Sequence, residues 1–275
     1  METEEFYQPG NNINLQFASQ TETPMSEDEK WLIALGGMFS SLSGDYVNVI
    51  DTGRSNKDIR ETLRKRWLID SDRAVFEGAA LRLVMGEKRK LHMQRFDMIK
   101  RFFKFFDNSN ILVKTLSKFS LLFSLDWYQT RTKEDLRAIA RKELDLDRMA
   151  KNGSKKNEEL FKLLKDAGHW CKEIEKIGDY RQINDLVAWD AVCLVNLTRY
   201  VTQVNLIDRS EFVRYASAIK KQVQMAYNSW DEVALAYLIG TFLWNYSEQK
   251  SKTVIKAIRT YLDDKRTLIH AVNFK

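Results

Sequence analysis

Five polar residues between Ala188 and Trp244 carry the groups with which a helical protein could do acid–base chemistry: Asp190, Asn196, Arg199, Asp231 and Tyr237. A carboxylate, a guanidinium and a phenol brought together can hold and move a proton. Once buried, the same groups pair to offset the cost of leaving water. An ion pair of Arg199 with Asp190 or Asp231 would then lock neighbouring helices in register. The structural reading is preferred, because ion-pair networks perturb charged groups as readily as active sites do. No catalytic residue is assigned.

A second set is basic. Lys88, Arg89, Lys90, Arg101 and Lys104 fall in an amphipathic stretch, 87–106, whose other face carries Phe96, Ile99, Phe103 and Phe106. The plain reading is a core helix with a solvated charged face. The alternatives are a surface for an acidic protein or nucleic acid, or a helix lying on a membrane. The remaining candidates dissolve on inspection. His92, His169 and His270 are scattered, and His169 and Cys171 sit two apart, on diverging sides of a helix. Asp145 with Asp147, and Glu173 with Glu175, diverge in the same way. No glycine-rich phosphate loop, nucleophile elbow or His-Glu-x-x-His pattern is present, so no metal and no cofactor is expected.

The elements that must position these residues are helices. Both prolines, Pro9 and Pro24, lie in the first 24 of 275 residues, and proline breaks helix interiors. The proline-free remainder therefore favours helices on short connections. Hydrophobic residues at 44% and charged residues at 30% suit a globular core with a solvated surface. A net charge of +6 permits an acidic partner without requiring one. The start Met1-Glu2-Thr3-Glu4-Glu5 lacks the basic region of a signal peptide. No stretch approaches 18 apolar residues. A cytoplasmic chain with Cys171 and Cys193 reduced is the expectation.

Residues 1–25 are read as a flexible arm and 26–275 as an all-helical domain, a single orthogonal bundle of about ten helices. A lobe hinge is possible in the polar run 151–157. Ser26 and Glu29 form a capping box for the first helix, which ends near Ser43-Gly44. A second helix carries Ile59, Leu63, Arg66 and Trp67. Ser71 is expected to cap a third that buries Val75, Ala79 and Leu83 and stops at Gly86. An apolar stretch, 110–127, and a charged helix from Thr132 to Met149 follow, then a helix through Leu160, Leu164 and Trp170. From Ala188 to Trp244 three consecutive helices are expected, opened in part by Asp208-Glu211 and Ser229-Glu232. Gly240 costs its helix about 1 kcal/mol relative to alanine, which a close helix crossing would explain. A last helix runs from about Lys252 to Asp264, and Leu268–Phe274 packs back.

The spaced set Trp189-Asp190, Arg199, Ser229-Trp230-Asp231-Glu232, Tyr237-Leu238-Ile239-Gly240 and Trp244 resembles the C-terminal signature of a bacterial family of unknown function, typified by YbeU- and YbeR-like proteins. Residues 63–86, with Trp67, are similar to its N-terminal segment. The chain departs from the family pattern at Thr202-Gln203-Val204-Asn205, where a glycine is usual. It departs again at Thr241, where arginine is usual. The resemblance implies a helical fold and a bacterial origin. Trp67, Trp189, Asp190, Arg199, Trp230, Asp231, Tyr237, Gly240 and Trp244 are taken as structural signature positions.

The leading expectation is a non-enzymatic protein that binds another protein, for instance an immunity or accessory protein of a competition or secretion system. Nucleic-acid binding through the basic helix is the second. An enzyme using Asp190, Arg199, Asp231 and Tyr237 is the third. Oligomeric state is left open.

Overall fold

Ser26 opens the first helix as the sequence requires: its hydroxyl accepts from the Glu29 amide, and the Glu29 carboxylate accepts from the Ser26 amide at 2.7 Å. The computed structural model describes residues 14–19, 24–108 and 154–275. Most of the arm (1–13 and 20–23), the apolar stretch 110–127, the helix expected over 132–149 and the first part of the polar run 151–157 lie outside the described residues. Residues up to His92 pack with Glu173–Lys275 into one compact unit, and Met93–Lys172 form another.

The first unit begins with α1 (Glu27–Ser43), closed by Gly44 in the left-handed region. A loop, 44–55, leads to α2 (Asn56–Thr62), which winds on into a π-helical turn (Leu63–Trp67) ended by Leu68 at φ 57°. Helix α3 (Arg73–Val84) is capped by Asp72, not by Ser71, and its buried stripe is Phe76, Ala79, Ala80 and Leu83. Val75, expected inside, is 38% exposed. The larger Phe76 ring takes the inward place beside Ala79 and Leu83 instead, edge-on to Tyr215 at 5.0 Å. Gly86, at φ 64°, makes the turn into α4 (Arg89–Asn108).

Helix α4 enters the second unit after Arg89–His92, and α5 (Ser154–Ile174) leaves it before Glu173. Within that unit Phe96, Met98 and Ile99 are buried on α4, and Leu164, Ala167, Trp170 and Cys171 on α5. Gly168 of α5 stands opposite the Phe103 ring.

Back in the first unit, a 3-10 turn (Tyr180–Gln182) precedes α6 (Val187–Gln203), and every residue from Val187 to Val201 is buried. Helices α1, α2 and α3 pack against α6, as do α7 (Arg209–Ser217), α8 (Lys220–Ala226) and α9 (Trp230–Trp244). The stretch read as three helices is therefore four. A break at Ala218–Ile219 divides the middle one, and each piece lies along α6. Helix α10 (Glu248–Asp263) starts four residues earlier than expected and covers α1 and α9. After a 3-10 turn at Leu268–His270 the tail folds back. Phe274 meets Trp31 and Trp230, and its carbonyl accepts from the Trp31 indole at 3.1 Å.

Eight of these α-helices have nine residues or more, and two have seven. The described residues contain no strand, only an isolated bridge between Gln16 and Tyr46. The fold is all-α. No helix among the described residues is long and apolar enough to cross a membrane.

Candidate functional site

A helix buried on all sides must meet the needs of its polar side chains internally. On α6 they fall in two separate networks: one bonds every nitrogen of the Arg199 guanidinium, and the other leaves an Asp190 oxygen unbonded among the described residues. Arg199 is 0% exposed. Its guanidinium donates to the carbonyls of Tyr46, Val49, Ile50 and Asp51, at 2.8 to 3.1 Å, and to Ser40 and Asn196. The loop 44–55 is thus wrapped around one cation. Burial pulls the Arg199 guanidinium below its usual pKa range, and the nearby Asp45 pulls it back up. Asp45 is also fully buried and accepts from the Tyr200 hydroxyl at 2.8 Å.

The second network lies at the other end of α6. Asp190 is 1% exposed, and its Oδ2 has no hydrogen-bond partner among the described residues. Arg89 Nε lies 3.6 Å from it, close enough to attract and too far to bond. Burial pushes the Asp190 carboxyl up to about 7, Arg89 opposes the rise, and Asp185 adds to it. Arg89 is fixed by Gln222, whose side chain in turn donates to the Val84 carbonyl. Tyr227 completes the corner, accepting from the Ala188 amide and donating to the Asp185 carbonyl at 2.9 Å.

Beside Asp190 the same helix presents Trp189 and Cys193 to a cavity of about 300 Å³. The Trp189 and Trp244 indoles stack, with centroids 5.2 Å apart and planes 27° from parallel. The His92 ring stands edge-on to both at 5.7 and 5.8 Å. Gly240 permits this approach: a Cβ there would lie 2.6 Å from Trp189 Cβ. Tyr237, Thr241, Lys250 and Ser251 also border the cavity, with Phe39, Leu42 and Val254 as apolar wall.

Residues 58–274 match the family model described as a protein of unknown function, DUF1266. The chain belongs to the DUF1266 family. No curated protein and no solved structure gives a match.

This DUF1266 domain does not gather the residues singled out from the sequence in one place. Asp190 and Arg199 are nine positions apart on one helix, which puts them on opposite sides of it, and they serve the two different networks above. An ion pair of Arg199 with Asp190 or Asp231 is absent among the described residues: Arg199 bonds the loop, Asp190 faces Arg89, and Asp231 is exposed. Tyr237 and Trp244 join Trp189 at the cavity, so these indoles and the phenol border space as well as core. Trp230 packs with Trp31 and Phe274, and Trp67 is half-buried in the π turn.

Of the basic residues, Arg89 turns inward to Asp185 and Asp190. Lys88 lies over the Trp244 ring at 5.6 Å, and Lys90 is exposed. Arg101 and Lys104 are exposed on the second unit. Sequence reasoning did not find the Arg89–Asp190 pairing, the carbonyl cradle of Arg199 or the place of Lys250. Each joins residues far apart in the chain, where no spacing rule applies.

Proposed function

We propose that this DUF1266 domain is a non-catalytic module that binds another protein. The observation that carries the reading is a set of large apolar side chains left in water where three elements meet. Leu81 and Met85 end α3, Leu91 begins α4, and Met225 ends α8; they are 58%, 68%, 48% and 78% exposed. Gln222 ties the three elements by bonding both the Val84 carbonyl and Arg89. Clustered apolar surface in water is a mark of a site that a partner covers. Methionine suits the task, because its flexible thioether adapts to a partner's surface. Exposed Lys88 and Lys90 beside this junction favour a partner whose apolar patch is rimmed by acids. The narrower likeness to YbeU- and YbeR-like proteins supports a bacterial setting, in which an immunity or accessory role is the concrete version.

The test is affinity capture from the native host with the intact chain and with a Met85→Asp/Met225→Asp double variant. The reading expects one protein retained by the first and lost by the second, at equal thermal stability. Equal retention by both would end it, and a nuclease-sensitive nucleic acid as the retained species would move the function to the basic helix.

A further inference from the structure

Helix α3 is apolar on two opposite sides. The inner stripe, Phe76, Ala79, Ala80 and Leu83, packs into the first unit. At about 100° per residue, the stripe facing the other way is Ala74, Gly78, Leu81 and Met85, repeating at intervals of four, three and four. Ala74 is exposed, Gly78 half-buried, and Leu81 and Met85 are 58% and 68% exposed. Such spacing is the seam along which two helices interlock side chains, and a helix with only one covered face carries polar residues there. We propose that α3 packs antiparallel against α3 of a second copy, forming a weak two-fold dimer. The inference rests on the reading above in one respect, that Leu81 and Met85 are surface meant to be covered.

Gly78 is the first argument. Gly36 and Gly240 each admit a neighbour, and a Cβ placed there would lie only 2.7 and 2.6 Å from its atoms. A Cβ on Gly78 would meet nothing nearer than Arg82 Nη1, at 3.8 Å, and Arg82 is an exposed arm that can swing away. A glycine in mid-helix is unfavourable, and nothing among the described residues of one chain uses the room this one leaves. A second helix crossing at Gly78 would use it.

Size and charge select the occupant. The seam is small at its start, Ala74 and Gly78, and large at its end, Leu81 and Met85. A two-fold axis passing between Ala79 and Ala80 sets Ala74 level with Met85 of the other copy, and Gly78 level with Leu81. Each large side chain then fills the place opposite a small one, from both copies at once, whereas a parallel pair would set small against small. Charge agrees. Glu77, beside the seam, is drawn aside by Arg73 and by Tyr215 of α7. Arg82, on the other flank, comes level with the other copy's Glu77, so within the helix no like charges meet at one height. The contact is short, since 12 residues make about 18 Å of helix, and this sets the dimer among weak associations.

The experiment is sedimentation equilibrium of the full chain from micromolar to near-millimolar concentration. A monomer–dimer equilibrium with a micromolar dissociation constant is expected. Gly78→Gln should weaken it at least tenfold while melting no lower than wild type, because glutamine favours the helix. Met85→Asp, at an exposed position, weakens it by charge if the first variant misfolds. Register is read by oxidising chains with one added cysteine, the native Cys171 and Cys193 being buried. Mixing Ala74→Cys with Met85→Cys should give mixed disulfide dimers. Either alone should give few, since its two copies stand about 16 Å apart along the axis, beyond a disulfide's reach. A monomer at every concentration, a dimer untouched by both folded variants, or same-site disulfides exceeding mixed ones would each overturn the inference. Host capture is scored separately: a monomeric chain that still retains a host protein sinks the dimer alone, and a dimer that retains no other protein sinks the earlier reading alone.

Discussion

Replacing Asp190 with asparagine removes a carboxyl that the fold holds in an uneasy setting, and the pH dependence of stability reads the result. Burial raises this group to about 7 in the folded chain, against about 4 for an ordinary aspartate. The folded state therefore holds the proton more tightly than the unfolded state. Its contribution to stability is fullest below about pH 4, declines as pH rises from about 4 to about 7, and stays lost above. The neutral amide of the variant carries no such charge at any of these pH values. Thermal melts should therefore show Asp190→Asn near wild type at about pH 4, and gaining on it steadily as pH rises to about 7, so that the variant is the more stable at pH 8. The other perturbed carboxyls among the described residues, such as Glu29 beside Arg209, are shifted downward and are common to both proteins, so the difference reads Asp190. Arg199 makes the opposite case. Arg199→Met strips the loop 44–55 of its donor and takes from buried Asp45 one of its two neighbouring cations, Arg66 being the other among the described residues. A loss of about 3–5 kcal/mol is expected in urea titrations, as for other broken buried charges. Arg199→Lys should recover only part of it, since a compact ammonium cannot reach four carbonyls at once.

At the scale of elements, α6 is the member on which the first unit is assembled, and its neighbours approach through small residues. Gly36 on α1 and Gly240 on α9 each face it, and an added Cβ would lie 2.7 Å from Val195 Cγ1 and 2.6 Å from Trp189 Cβ. Gly240→Ala sets two known effects against each other. Helix propensity improves by about 1 kcal/mol, while overpacking a fixed crossing costs about 1–3 kcal/mol. A net loss of about 1 kcal/mol or more in urea, together with a changed indole fluorescence, is the expected outcome. A net gain would show that the crossing relaxes at no cost. Much at this scale was legible beforehand. The capping boxes at Ser26 and Asp208 and the stop at Gly44 are where their residue types put them. The errors were local and physical. Asp72 outcompeted Ser71 as a cap, and the break at Ala218–Ile219 carries no proline or glycine to announce it.

For the whole molecule, the balance between buried and exposed apolar groups suggests where its work is done. Substituting a residue in water leaves stability nearly unchanged, whereas substituting one in the core does not. Met225→Asp, at a position 78% exposed, should melt within a few degrees of wild type and yet lose partner capture. Phe212→Ala, at a position 0% exposed, should lose about 3–5 kcal/mol and with it every function alike. Capture and melting measured together separate the two.

Helix type, the placing of several caps and the apolar stretches were fixed by local chemistry: periodicity, cap residues and the scarcity of proline act within a few residues and can be read from the chain. The convergence of side chains could not be. Whether Arg199 met Asp190 or a ring of loop carbonyls, and whether Trp189 faced packed core or the edge of a cavity, depended on crossing angles between helices far apart in sequence. Those angles are set by side-chain packing, a collective property that no single spacing encodes.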